Sequence, residues 1–189
     1  LVVTRRAYDL REDTLVSVSE LSPGQLVVGH ISRIAEYGVF VQLSEYVAGL
    51  VHLRQLTDVP LAAVPKKFQE GAKLKCRVLR VFPEKRQVSL TCKKALVRGD
   101  FQLAECDQAQ ANMVLTGYVS KVSDYGAIVS FFGNAFGLIP AKEMDQEMAP
   151  ALGMVVKCRV THVNRKRQRM GLSLDLANGK APEELAVSG

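Results

Sequence analysis

The chain has 189 residues, 48% of them hydrophobic, with four cysteines and a formal net charge of +6. That length accommodates one large core or two small ones, and no apolar run is long enough to cross a bilayer. The opening residues, LVVTRRAYDL, lack the basic, apolar, small-residue order of a signal peptide, so the chain reads as soluble and intracellular.

In chain order, VVTRRAY near the start resembles SLTCKKA (89–95), and Thr4 to Gly29 covers nearly the same span as Thr91 to Gly117. Residues 1–21 therefore read as the closing strand of a preceding repeat followed by a linker. From Gly29 the stretch GHISRIAEYGVFVQL is β-branched and apolar except at Tyr37-Gly38. It reads as two strands with Gly38 at a bulge or tight turn, where a missing Cβ removes the steric penalty. GLVH (49–52) continues the pattern. TDVPLAAVPKKFQEG (57–71), with two prolines, reads as a connector. KCRV (75–78) starts another strand, and Val88, Leu90 and Cys92 alternate with Ser89 and Thr91 as in a half-buried one.

A linker over 96–109 leads into a second copy. GYVSKVSDYGAIVSF (117–131) matches the first stretch without a gap, GLI (137–139) matches GLV (49–51), and KCRV recurs at 157–160 after a shorter loop. Met170, Leu172 and Leu174 repeat the closing alternation, and Gly126 repeats Gly38. Boundaries follow at 22–95 and 110–176 for the two units, with 177–189 as a C-terminal linker. Five short strands in roughly seventy residues suit a small closed barrel, which leaves no open edge.

Charge follows the repeat. Residues 22–95 carry twelve Lys/Arg against five Asp/Glu, and 113–174 carry eight against four, whereas all three flanking segments are net acidic. Such placement favours a polyanionic partner, although a solvated basic face gives the same count. Cys76 and Cys158 fall at equivalent places, and no CxxC pair exists, so the four cysteines read as small buried hydrophobes in a reducing compartment, with no zinc and no disulfide framework. His30, His52 and His162 are scattered. The sequence has no Walker loop, HExxH, GxGxxG or nucleophile elbow, and Asp145 and Glu147 read as a solvated turn. Neither an enzyme, nor a cofactor, nor a small-molecule substrate is indicated.

Gly29, YGVFV (37–41), GLVHLRQL (49–56), FQEGAKLKCRVLRV (68–81) and RQVSLT (86–91) resemble the S-one-type RNA-binding domain, over most of 22–174. The resemblance implies an all-β chain of tandem five-stranded antiparallel OB-fold barrels with short helical linkers. It implies that Tyr37, Phe40 and His52 line an exposed face beside Arg86, with Lys85, Arg80 and Arg33 supplying charge. Flat rings suit base stacking and a guanidinium suits phosphate. Taken alone, a strand Phe is usually core, Tyr37 covers the adjacent glycine and a single His is a surface group.

The family often has Asp where this chain has Phe82, which replaces the implied polar contact with the alternative of a further ring. The second copy keeps Tyr125 but has Ile128, Pro140 and Gln168 in place of the Phe, His and Arg, and adds Arg165, Lys166, Arg167 and Arg169 in a hairpin open to phosphates. Long arrays of such diverged copies resemble ribosome-biogenesis scaffolds. That likeness implies single-stranded or structured RNA, pre-ribosomal RNA above all, and ribosome-assembly proteins as partners, in the nucleus and nucleolus with no membrane. The alternative it leaves is a protein-docking scaffold.

Overall fold

The computed structural model describes residues 17–99, 102–144, 149–177 and 179. The expected strand within VVTRRAY, the Asp145 and Glu147 turn and most of the C-terminal linker lie outside them. The described residues form two compact units, one built on residues up to Leu56 and on Ala62–Cys92, the other on Thr57–Leu61 and the residues from Lys93 onward.

The first unit is a closed barrel of β1 (Leu26–Ala35), β2 (Gly38–Gln42), β3 (Ala48–His52), β4 (Lys73–Phe82) and β5 (Gln87–Thr91), in the order β1-β2-β3-β5-β4. Period-two alternation turns Val27, Ile31, Val39, Val41, Val51, Cys76, Val78, Val88 and Leu90 inward, and these make the core. Closure differs from the purely antiparallel expectation in one place: β3 pairs with β5 in parallel, through Gly49↔Val88, Leu50↔Ser89 and Val51↔Leu90. A short helix α1 (Lys94–Arg98) follows the barrel.

The second unit repeats this plan with β6 (Val114–Ser123), β7 (Gly126–Ser130), β8 (Phe136–Pro140), β9 (Val155–Asn164) and β10 (Arg169–Ser173), again closed by a parallel pair, β8 with β10. Each barrel is preceded by one 3-10 turn, Val18–Glu20 and Cys106–Gln108. Both turns carry a capping box, Ser17 with Glu20 and Glu105 with Gln108, which satisfies the free N–H groups at the turn start. Val18 and Cys106 are buried by these turns.

Gly38 and Gly126 are the first residues of β2 and β7, immediately after the Tyr37 and Tyr125 turns. In the β1–β2 and β6–β7 pairings the register breaks lie elsewhere, between Ile31 and Arg33 on β1 and between Val119 and Lys121 on β6. There the Ser32 and Ser120 hydroxyls donate to the carbonyls of Phe40 and Ile128, each at 3.3 Å. The glycines are needed because the neighbouring strand passes too close: a Cβ at Gly38 would run into the Val51 carbonyl oxygen, and one at Gly126 into that of Ile139. Only Gly126 also has positive φ, +146°.

Candidate nucleic-acid interface

Strand register sets outward residues of the first barrel in one row across all five strands. Arg33 pairs with Phe40, Phe40 with Leu50, Leu50 with Ser89, and Ser89 with Arg80. An aromatic ring thus sits in a short neutral strip with an arginine at each end. Phe40 is half-buried, because Val39 and Val41 on either side of it are taken by the core. The Arg33 guanidinium carbon lies 5.4 Å from the Phe40 ring centroid, a cation–π contact.

Two further rings flank this row. Tyr37, 48% exposed, stands edge-on to Phe40 with centroids 6.1 Å apart and an interplanar angle of 84°. His52 ends β3 opposite Gly38, which brings its ring to 6.3 Å from that of Tyr37. The Leu53 N–H donates to the Tyr37 carbonyl at 2.8 Å and ties the turn to the exit of β3. The three rings are therefore brought together by backbone pairing, and exposed Tyr37 and His52 flank the half-buried Phe40 ring that Arg33 partly covers.

Arg86 follows the Pro83–Lys85 3-10 turn with left-handed φ 50° and ψ 39°. With Tyr37, Phe40 and Phe82 it borders a cleft of about 450 Å³ whose lining includes Leu50, Gln87 and Ser89. Lys85 is exposed in the same turn and Arg80 is half-buried at the end of the row. The structure thus brings Tyr37, Phe40, His52, Arg33 and Arg86 into one neighbourhood. Sequence reasoning missed Leu50, Gln87 and Ser89, and left open whether Phe82 adds a ring. They join the site through the parallel β3–β5 pairing, which no local pattern announces.

In the second barrel the corresponding row is Lys121, Ile128, Leu138, Gly171 and His162. Tyr125 is 57% exposed, and its carbonyl accepts from the Ala141 N–H as that of Tyr37 does from Leu53. Pro140 pairs with Gly126 at the His52 place. Gln168 has the same left-handed φ as Arg86, 51°, but its amide donates to Asp107 Oδ1 at 3.2 Å and to the Arg165 carbonyl at 2.9 Å. Arg165, Lys166 and Arg167 are exposed between β9 and β10, and exposed Arg169 opens β10. The Arg167 N–H donates to Asn164 Oδ1 at 3.0 Å and shapes the turn. Among the described residues no group of three His, Cys, Asp or Glu is placed to hold a metal.

Residues 21–91 match the family described as the RRP5 S1 domain, and residues 108–175 match the S1 RNA binding domain. The chain is 33% identical over 172 residues to the protein RRP5 homolog of Homo sapiens, covering 87% of this chain and 9% of that protein. It is 31% identical over 130 residues to the rRNA biogenesis protein rrp5 of Schizosaccharomyces pombe, covering 68% and 8% respectively. With the small ribosomal subunit protein bS1 of Leuconostoc lactis it shares 29% over 193 residues, or 97% of this chain and 44% of that one. The chain therefore spans about a tenth of the length of the RRP5 relatives.

Proposed function

The chain belongs to the S1 RNA binding domain family, which it carries twice in tandem, and on that premise we propose that it is an RNA-holding segment of a ribosome-biogenesis factor. Its first barrel takes single-stranded pre-ribosomal RNA across the Tyr37, Phe40 and His52 rings. Arg33, Arg80, Lys85 and Arg86 meet the phosphates. The observation that carries this reading is the ring cluster, with centroids 6.1 and 6.3 Å apart, built around a strand row that has an arginine at each end. Each stacked base is worth about 1–3 kcal/mol, and every base has a face to stack, so the preference for sequence is weak. The likeness to rRNA biogenesis proteins supports a nuclear, nucleolar setting, and the chemistry is binding rather than catalysis.

A second reading applies to the second barrel. Tyr125, Ile128 and Pro140 leave a mostly apolar surface where the first barrel has rings and an arginine, which suits docking of an assembly protein with little direct RNA contact. The test of the main reading is a titration of the chain with a labelled single-stranded oligonucleotide. Changing Phe40 and His52 together to Ala is expected to weaken binding at least tenfold while the fold persists. Unchanged affinity would mean that the face is wrongly assigned.

A further inference from the structure

Phe82 is the last residue of β4, paired with Gln87 at the start of β5. Its ring is 39% exposed and takes no part in the barrel core. It stands instead at the rim of the cleft of about 450 Å³ that it shares with Tyr37, Phe40 and Arg86. That volume lies at the low end of the roughly 300–1,000 Å³ typical of small-ligand sites, so it admits one nucleoside-sized group rather than a strand. Gln87 and Ser89 lie in the lining and offer an amide and a hydroxyl, while Leu50 adds an apolar side chain. His52 is not among its described lining residues. Tyr37 and Phe40 therefore belong to two places, an open ring surface shared with His52 and a recess shared with Phe82.

The recess combines aromatic rings, two neutral hydrogen-bonding side chains and a guanidinium. Its complement is a flat, uncharged group with donors and acceptors on its edge, attached to an anionic chain. An unpaired nucleobase is that group. In the second barrel Asn164 and Gln168 stand at the places of Phe82 and Arg86, and Gln168 is tied to Asp107, so the recess is particular to the first barrel.

We propose that Phe82 is a fourth base-stacking ring and that the cleft takes one unpaired base of the bound RNA, its edge read by Gln87 and Ser89. The proposal rests on the reading of the first barrel as an RNA-binding unit. It makes one nucleotide of the bound strand different from the rest, inserted rather than laid on the surface.

The test uses the 189-residue chain and a labelled single-stranded oligoadenylate, with the wild type, Phe82→Ala, Phe82→Tyr and the Phe40/His52 double alanine variant. Phe82→Ala is expected to lose about 5- to 150-fold in affinity, the contribution of one stacked base, with the salt dependence unchanged because no phosphate partner is removed. Phe82→Tyr keeps the ring and should bind within about twofold of wild type. Wild-type affinity for Phe82→Ala, or a Phe82→Tyr variant as weak as Phe82→Ala, overturns the proposal. If Phe82→Ala binds as wild type while the double variant is weakened, the open ring surface stands and the recess falls. If neither variant is weakened, the RNA reading of this face falls as well.

Discussion

Arg33, Phe40, Leu50, Ser89 and Arg80 in the first barrel, and Lys121, Ile128, Leu138, Gly171 and His162 in the second, cross equivalent strands in the same order with a bulge at the same place on β1 and β6. Arg86 and Gln168 share even the left-handed backbone, φ 50° and 51°. The sharpest difference is in what projects outward. The first row offers a ring between guanidinium groups. The second offers an amine, two aliphatic chains and a bare glycine under the His162 imidazole. Inward residues and crowded glycines determine the barrel, and outward positions change at little cost in stability, so one backbone carries two binding chemistries.

The comparison is broken most severely at the glycines that open β2 and β7. Gly38 and Gly126 both face a carbonyl oxygen of the next strand, but Gly126 alone adds a φ of +146°, a region open essentially to glycine. Gly126→Val should therefore destabilise its barrel by about 1–3 kcal/mol more than Gly38→Val does its own. The chain has four isoleucines, Ile31 and Ile34 in the first barrel and Ile128 and Ile139 in the second, so their methyl signals report each barrel separately in a urea titration. Equal shifts of the two midpoints would mean that the collision, not φ, dominates at both sites.

The next difference is in salt dependence. Stacking survives moderate salt, whereas phosphate contacts are driven by counterion release and fade as salt rises. Changing Arg165, Lys166, Arg167 and Arg169 together to Gln should flatten the plot of log affinity against log salt, by about 0.7 for each single-strand phosphate that is no longer neutralised. The Phe40 and His52 double alanine variant should lower the whole line without changing its slope. Titrations between roughly 50 and 200 mM salt distinguish the two, and an unaltered slope in the four-site variant would remove the hairpin from the RNA path.

Much of this was legible in the sequence because the repeat is local. The Tyr-Gly pairs, the KCRV strands and the alternation through Val88 and Leu90 each depend on near neighbours along one strand. The basic hairpin followed from its run of charges in the same way, whereas the Pro83–Lys85 turn came only with the structure. Parallel closure through Leu50 and Ser89 was not legible, since pairing distant strands leaves no periodic mark. For the same reason Gln87 and Ser89 were missed; of the two alternatives read at the glycines, bulge or tight turn, it is the turn they adjoin, and the bulges lie at Ser32 and Ser120. A glycine announces that space is short but not whether a turn or a neighbouring carbonyl takes it.

The finest difference between the barrels lies in their buried titratable groups. Cys76 and Cys158 are equivalent thiols. Cys76 is held above its ordinary value by its contact with Cys92, Sγ to Sγ 3.2 Å, and by burial, and burial pushes Cys158 up to about 12. A raised thiol pKa contributes stability that is complete below the unfolded value near 9 and is lost above it, as the unfolded chain releases the proton first. Both barrels should therefore weaken on the order of 1 kcal/mol by about pH 10. The second unit has a counterweight. Lys93, buried and donating to the carbonyls of Thr57 and Gly153, is lowered by burial to about 8, with Asp58 opposing in part. Its charged form is disfavoured in the folded state, so stability is regained as pH climbs from about 8 toward 10.5. The neutral amine keeps two N–H donors for its two carbonyls. Between about pH 8 and 10 the unfolding midpoint read at Ile31 and Ile34 should fall further than that read at Ile128 and Ile139. Lys93→Met should erase the difference, and parallel falls in the wild type would show that Lys93 does not titrate in that window.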